Sequence, residues 1–247
     1  MKPKSHTLFH FTKGVEILKS ILKNGFWPRY CLEDTTWYTN SETQIAFPMV
    51  CFCDIPLSRL DEHVRFYGEF GIGVSKSWAL SNDCCPATYL PRNSQISSAL
   101  LRITKGNLAE KGYYKGSNGD MNALISNVKP IEGQMLVNGE LIPKEFYQES
   151  EWRYVIKDTI ARAKARVWLS EVEFRDEKIR ETENNKTKEH HSLKISPSDI
   201  KYIFVKNESD IPGIVNFIQD ELDYFSGSDI KILLSKIISL NTIREDM

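Results

Sequence analysis

The sequence lacks several features that would assign it quickly to a functional class. It has no apolar run of about 18 or more residues, so it predicts no transmembrane helix. The residues before Leu8 contain no apolar stretch of the kind found in secretory signals. The formal net charge is only −1, so no overall field attracts nucleic acid or an anionic membrane. These absences predict a cytoplasmic protein without a membrane partner.

Cysteine is also scarce, and its spacing excludes the common metal sites. The five cysteines include a vicinal pair, Cys84-Cys85, and a pair two residues apart, Cys51 and Cys53, that would share one face of a strand. Zinc sites require Cys-x-x-Cys or mixed His/Cys spacing, which is missing. We therefore expect small buried side chains in a reducing compartment, and no metal.

The common catalytic and nucleotide-binding motifs are absent. There is no Walker loop, Gly-x-Ser-x-Gly or His-Glu-x-x-His. Gly71-Ile72-Gly73 lacks the third glycine and the following helix of a Rossmann fingerprint. A function must therefore be sought in less common patterns.

The mixture of strands and helices has no repeating β-α-β rhythm, which favours an α+β fold. Residues 26–46 and the highly charged residues 175–191 are expected to be irregular or solvated. We predict one domain over 1–225 with a charged excursion at 175–192, and a C-terminal helical appendage at 226–247. Predicted strands are 7–12, 47–56, 70–76, 152–156, 167–174, 193–195 and 200–205. Predicted helices are 15–24, 58–67, 94–103, 211–222 and 230–240.

Polar residues alternate with aromatic residues in the first predicted strand. His10 and Thr12 would lie on one face, and Phe9 and Phe11 on the other. A polar pair backed by two phenylalanines is a candidate binding surface. The alternative is a structural histidine with its hydrogen bonds satisfied.

Two glutamates open a predicted strand much later in the chain. In an extended segment Glu149 and Glu151 would face the same side, and two neighbouring carboxylates raise the pKa of one of them. Such a pair can bind ribose hydroxyls or accept a proton from a nucleophile. A solvated acidic loop is the alternative, but the Trp152-Arg153 that follows indicates an anchored position.

Other candidate residues lie around the glycine-containing strand. Tyr67, at the end of a predicted helix, can stack on a flat ring or pack in the core. Ser75 and Lys76, at the strand end, can meet a pyrophosphate or remain solvated. Basic residues could guide a nucleic-acid strand and aromatic residues could stack on its bases. The candidates are Tyr113, Tyr114, Arg162, Lys164 and Arg166. The alternative is that these residues are ordinary solvated surface.

Four segments resemble the AbiGi-type abortive phage-resistance family. They are Leu8-Phe9-His10-Phe11-Thr12, Cys51-Phe52-Cys53-Asp54-Ile55-Pro56-Leu57, the residues from Tyr67 to Lys76, and Glu151-Trp152-Arg153. The resemblance spans about residues 7–160 and continues more weakly to about 220. It implies one half of a bacterial anti-phage, toxin–antitoxin-like system, with a cognate antitoxin or a chaperone as a partner.

More remotely, the order of these segments is similar to the His-Tyr-Glu class of ADP-ribosyltransferases. That similarity implies a split mixed or antiparallel sheet with flanking helices and a C-terminal helical segment. It implies NAD as the substrate, with His10 and Thr12 holding the dinucleotide, Tyr67 flanking nicotinamide and Glu151 as the catalytic carboxylate. Many members of the class have a tyrosine where this chain has Cys51-Phe52, so Phe52 is expected to supply one face of the nicotinamide pocket.

Two functions therefore remain open at the level of sequence. The first is an NAD-dependent ADP-ribosyltransferase of phage defence that modifies RNA or DNA. The second is a non-enzymatic antitoxin or sensor that binds a partner protein through a degenerate pocket. The Glu149/Glu151 pair and His10 favour the enzyme, whereas the missing tyrosine and the near-neutral charge favour the binding protein.

Overall fold

The computed structural model describes residues 5–39, 44–111, 119–137, 140–156 and 164–245 and has an α+β fold. Among the described helices, none combines the length and the apolar character needed to cross a bilayer. The helices are α1 (Val15–Asn24), α2 (Thr36–Thr39), α3 (Leu60–Tyr67), α4 (Lys76–Ser81), α5 (Gln95–Lys111), α6 (Gly119–Ser126), α7 (Glu171–Arg175), α8 (Glu177–His190), α9 (Ile211–Glu221), α10 (Gly227–Leu234) and α11 (Leu240–Glu245). Short 3-10 turns lie at Leu57–Arg59, Phe146–Glu149 and Glu208–Asp210.

Most strands join one mixed sheet. Its path is β13-β12-β4-β1-β3-β10-β5, and β2 and β11 also pair with β3. All pairs in this sheet are antiparallel except β12 with β13. Two small sheets, β6 with β7 and β8 with β9, lie outside it. The strands are β1 (Thr7–Thr12), β2 (Arg29–Glu33), β3 (Ile45–Cys53), β4 (Phe70–Ser75), β5 (Cys85–Pro86), β6 (Thr88–Leu90), β7 (Val128–Pro130), β8 (Glu132–Val137), β9 (Glu140–Glu145), β10 (Glu151–Val155), β11 (Leu169–Ser170), β12 (Ile200–Val205) and β13 (Ile237–Ser239).

The sheet splits along one edge of β3. Cys53 is the register partner of Phe9 in β1 and of Glu151 in β10, so β1 and β10 lie on opposite edges of β3. Met49 pairs with Arg29 in β2 and with Val155 in β10, which places β2 on the same edge as β1. Between these two attachments, the described strands leave the edge of β3 unpaired, and β1 and β2 diverge there.

The turn after α1 holds β2 away from β1. Gly25 ends the helix with φ 84°, in the left-handed region that favours glycine. A Cβ atom at Gly25 would lie 2.2 Å from the backbone oxygen of Leu193. The next residue, Phe26, exchanges two backbone hydrogen bonds with Leu193, at 3.0 and 2.6 Å. The chain is therefore attached to a distant segment before it enters β2.

Apolar side chains cover both faces of the sheet. On one face, Leu8 and Ile72 pack with residues of α1 and α9. On the other face, Phe9 and Phe11 pack with Phe204 and with α3. The predicted division of the first strand, with Phe9 and Phe11 on a face of their own, is confirmed.

Several predicted elements agree with the structure. Strands at 7–12 and 200–205 are confirmed, and the strand predicted at 70–76 extends over Phe70–Ser75. The helix predicted at 58–67 begins as a 3-10 turn and ends at Gly68, as expected. The helix predicted at 94–103 extends further, to Lys111.

Other predictions were wrong. Residues 26–46 contain β2 and α2, and residues 175–191 contain the last residue of α7 and all of α8 instead of a solvated excursion. Residues 230–240 include β13, which pairs with β12 in the main sheet, so the C-terminal segment extends that sheet and is more than a helix. The strand predicted at 193–195 is reduced to an isolated bridge between Leu193 and Phe26.

Candidate functional site

A cavity of about 590 Å³ opens at the split in the sheet. Its walls come from β1, α1, β2, β3 and α3, and from the segment that carries Glu149 and Glu151. This volume lies within the range of roughly 300–1,000 Å³ typical of small-molecule and cofactor sites. His10, Phe52, Tyr67, Glu149 and Glu151 all line it, so the structure brings these distant sequence positions together.

His10 occupies the open edge of β3. Its Nδ1 lies 2.8 Å from the backbone oxygen of Cys51. Because a carbonyl oxygen can only accept, Nδ1 carries the proton and Nε2 of the neutral ring is left as an acceptor. Burial lowers the pKa of His10, although the hydrogen bond to Cys51 opposes this effect. The ring is therefore neutral at physiological pH, and Nε2 can receive a hydrogen bond from a hydroxyl group.

The two glutamates reach the cavity by a tight turn. Glu149 ends the 3-10 turn Phe146–Glu149, Ser150 has φ 44°, and Glu151 begins β10. The prediction that this segment is extended was wrong. The left-handed residue between them directs both side chains to the same cavity.

Cations surround each of these buried carboxylates. The Nζ atom of Lys129 lies 2.9 Å from Oε2 of Glu149 and 2.7 Å from Oε2 of Glu151. The fully buried Arg153 donates from Nε to Oε1 of Glu151 at 3.0 Å, and from Nη2 to Glu33 at 2.9 Å. Its Nη1 donates to the backbone oxygen of Ser126 at 2.6 Å.

These cations keep both carboxyl groups ionised. Burial raises the pKa of Glu151, but Arg153 and Lys129 outweigh it and hold that pKa well below its usual range. Burial also raises the pKa of Glu149, but Lys129 and Lys144 outweigh burial and lower that pKa below its usual value. The cavity thus presents two anionic carboxylates at neutral pH. This differs from the expectation for an isolated pair, in which one pKa is raised.

Tyr67 is fixed against both the carboxylates and an aromatic neighbour. Its hydroxyl group donates to Oε1 of Glu149. Its ring stacks on the imidazole of His63, with 4.4 Å between ring centroids and an interplanar angle of 25°. Phe52 lines the same cavity, with its ring centroid 5.8 Å from that of His10. The cavity therefore has aromatic walls beside its charged groups.

His63 makes stability depend on pH. Burial is the largest cause that lowers its pKa, from 6.5 to about 4. Between these values the unfolded chain binds more protons than the folded chain, so stability falls as the pH falls from about 6.5 to 4. Between about pH 6.5 and 4, the free energy of unfolding of the wild type should fall. His63→Phe should reduce this fall by up to roughly 3 kcal/mol, as measured by denaturant unfolding.

The matched control is His6→Phe, since His6 is exposed. It should keep the wild-type dependence of stability on pH. An unchanged dependence in His63→Phe would show that His63 is not the group responsible.

Three predicted cofactor residues do not line the cavity. The hydroxyl group of Thr12 donates to the backbone oxygen of Gly14. Ser75 caps α4 by accepting from the backbone nitrogen of Trp78. Lys76 donates to Asp54 at 2.6 Å. Because these contacts use the polar groups locally, the structure brings none of the three to the carboxylate pair.

The residues predicted to contact nucleic acid are only partly described. Tyr113, Tyr114 and Arg162 lie outside the described residues. Lys164 is exposed, whereas Arg166 donates to both carboxylate oxygens of Glu173 at 2.9 Å. Arg166 therefore joins the start of α7 to the preceding segment.

His63, Lys129 and Arg29 line the cavity and were not predicted from the sequence. Lys129 was detectable in principle, because it stands between Val128 and Pro130 in a segment that is otherwise apolar. The guanidinium of Arg29 lies 5.0 Å from the ring centroid of Trp27. Arg29 thereby places a cation beside an aromatic ring at the cavity.

Comparison with known proteins assigns a family. A family model described as "Putative abortive phage resistance protein AbiGi, antitoxin" matches residues 24–206. A curated relative from Lactococcus lactis subsp. cremoris, named abortive phage resistance protein AbiGi, is 28% identical over 257 residues. The match covers 90% of this chain and 99% of the relative. No solved structure matches the chain.

Proposed function

The chain belongs to the AbiGi family of abortive phage-resistance proteins, and from this premise we propose that its cavity binds NAD and that the protein transfers ADP-ribose. The observation that carries the proposal is the position of His10 and Glu151. Their strands pair with opposite edges of β3, and both side chains line one cavity. Two strand spacings correspond to about 10 Å, a distance that one dinucleotide can span.

The fit to NAD rests on several groups of the cavity. The neutral ring of His10 offers Nε2 as an acceptor for a ribose hydroxyl. Phe52 and Tyr67 provide flat apolar surfaces of the kind on which nicotinamide or adenine packs. Arg29 has a side chain that is 56% exposed and lies 3.6 Å from Glu181 in an exposed ion pair, and it would supply a cation for the pyrophosphate in place of the predicted Lys76.

The chemistry requires orientation more than acid–base work. Nicotinamide leaves as a neutral molecule when the bond from ribose C1 to the ring nitrogen breaks, and the ribose carbon gains positive charge. An anionic carboxylate near that carbon stabilises the charge, and a held geometry lowers the barrier further. Glu151 is ionised and fixed by Arg153 and Lys129, so it meets both requirements.

The acceptor predicted from the sequence is a nucleic acid, and a parallel assay tests it. NAD labelled in its adenylate part is incubated with the protein and with RNA, DNA or protein substrates in separate reactions. We expect label in RNA or DNA, and none when Glu151→Gln replaces the wild type. Label that enters only protein would contradict the nucleic-acid acceptor and leave the transferase intact.

A second candidate function is an antitoxin that binds a partner protein without consuming NAD. The observation that favours it is the word antitoxin in the description of the matching family. The same assay separates the two functions. Release of nicotinamide supports the enzyme, whereas absence of both release and label favours the partner-binding protein.

A further inference from the structure

Lys129 is a buried cation at the centre of the carboxylate pair. It lies in the three-residue strand β7 and is only 9% exposed. Its ammonium group is 4.6 Å from the ring centroid of Phe146, in addition to its contacts with both glutamates. Burying a lysine is unfavourable unless it is paired, so a role for this charge is to be expected.

The other partners of the pair are divided between the two glutamates. Arg153 contacts Glu151 and not Glu149, whereas Tyr67 and Lys144 contact Glu149 and not Glu151. Among the described residues, only Lys129 makes a hydrogen bond to both. It therefore links two groups that would otherwise be held independently.

Such a link is needed because the chain brings two anions together. The turn at Ser150 directs both carboxylates into one cavity, where their mutual repulsion favours protonation of one or rotation of its side chain. An ammonium group between them removes both tendencies. The two glutamates can then remain anionic and keep one orientation.

We infer that Lys129 is the positioning residue of the carboxylate pair, with an ammonium group that bridges Glu149 and Glu151 and fixes the orientation of Glu151 toward the cavity. The inference rests on the proposed function for its role in the reaction. The bridge itself is a property of the free protein and can be tested without NAD.

The titration of the pair is influenced by every element packed around it. Burial lowers the pKa of Lys129, but Glu151 and Glu149 outweigh burial and raise it well above its usual value. The bridge therefore remains charged throughout the physiological range. The other titratable and charged groups that act on this cluster are Glu33, Cys51, His63, Tyr67, Tyr89, Lys144 and Arg153.

The test is a carboxyl ¹³C NMR titration of protein labelled in glutamate, with Glu149→Gln and Glu151→Gln used to assign the two signals. In Lys129→Met, one carboxyl group of the pair should titrate about 1 pH unit or more higher than in the wild type. Lys129→Arg should restore most of the wild-type titration, because it returns a cation to the bridge. If Lys129→Met does not fold, Lys129→Gln gives the same comparison with a polar, neutral side chain.

Lys236→Met serves as the control, because this half-buried lysine donates to the backbone oxygen of Pro197, away from the cavity. It should leave both glutamate titrations unchanged. Identical titrations in Lys129→Met and the wild type would overturn the inference. A shifted titration without any NAD turnover in the wild type would keep the bridge and reject the transferase.

The pH profile of NAD turnover distinguishes a positioning role of Lys129 from a purely structural role. We expect the acid limb of the pH profile for NAD turnover to move upward in Lys129→Met by the same amount as the NMR titration. Lys129→Arg should return it toward the wild-type position. A uniform loss of activity at all pH values, with no movement of the limb, would contradict the positioning role.

Discussion

Glu151→Gln should lower NAD turnover by about 100-fold or more, the scale expected for one preorganised electrostatic group. The substitution removes the negative charge that would stabilise the developing positive ribose carbon, and it changes the side-chain volume little. Initial rates of nicotinamide release at saturating NAD measure the effect. Binding of NAD, followed by titration calorimetry, should change much less than the rate.

The matched control for this prediction is Glu183→Gln. The side chains of Glu151 and Glu183 are both 7% exposed, and both are ion-paired. Glu183 accepts from Lys186 and from the backbone nitrogen of Arg166, outside the cavity lining. Its variant should keep the wild-type rate. Equal losses in both variants would show that the effect arises from removal of a buried charge in general.

Arg153→Met should destabilise the protein by about 3–5 kcal/mol, since it removes one of the two cations bound to the buried Glu151 and the ion-pair partner of Glu33. Arg153 is fully buried and contacts Glu151, Glu33 and the backbone oxygen of Ser126. Denaturant unfolding at pH 7 measures the loss. Arg153→Lys keeps a charge but loses the fork of donors, so its loss should be smaller.

An exposed arginine provides the comparison. Arg175 donates to Glu171 with its side chain 66% exposed, and Arg175→Met should change stability by less than about 1 kcal/mol. If Arg153→Met were as mild as Arg175→Met, the buried charge cluster would not be an important contributor to the fold.

Strand alternation alone does not bring His10 and Glu151 together, because the register of Phe9 with Cys53 and of Cys53 with Glu151 places Glu151 on the face of the sheet opposite to His10. From the resemblance to a known class, their position in one cavity could be anticipated. The split that creates the cavity could not. It depends on where β1 and β2 attach along one edge of β3, and the residue Phe26, shortly before β2, is held by a long-range pairing with Leu193. Local periodicity carries no information about such a pairing.

The helix α8 shows a different limit of sequence reasoning. Its buried face is polar, so apolar spacing gave no signal for it. Asn184 accepts from the backbone nitrogen of Tyr30, and Thr187 donates to the backbone oxygen of Pro28. These hydrogen bonds attach the helix to β2 and to the residues before it. A segment that packs by polar contacts resembles a solvated loop in its composition.

The turn at Ser150 limited the prediction of the site itself. The sequence predicted an extended segment, in which alternation would place Glu149 and Glu151 on one face. In the structure a left-handed residue, Ser150, brings the two side chains together. Serine has no strong preference for that conformation, so the turn was not detectable. The cations that neutralise the pair come from β7, β9 and β10, and of these Lys129 is the most distant from the pair in sequence.

The most direct test of the central claim is a crystal structure of the Glu151→Gln variant with NAD, in which slow turnover should preserve the bound molecule. NAD should occupy the cavity at the split of the sheet. The nicotinamide ribose should lie within hydrogen-bonding distance of the side chain at position 151, and a hydroxyl of the adenosine ribose should contact Nε2 of His10. A cavity without NAD at saturating concentration, or NAD bound with its nicotinamide ribose away from position 151, would contradict it.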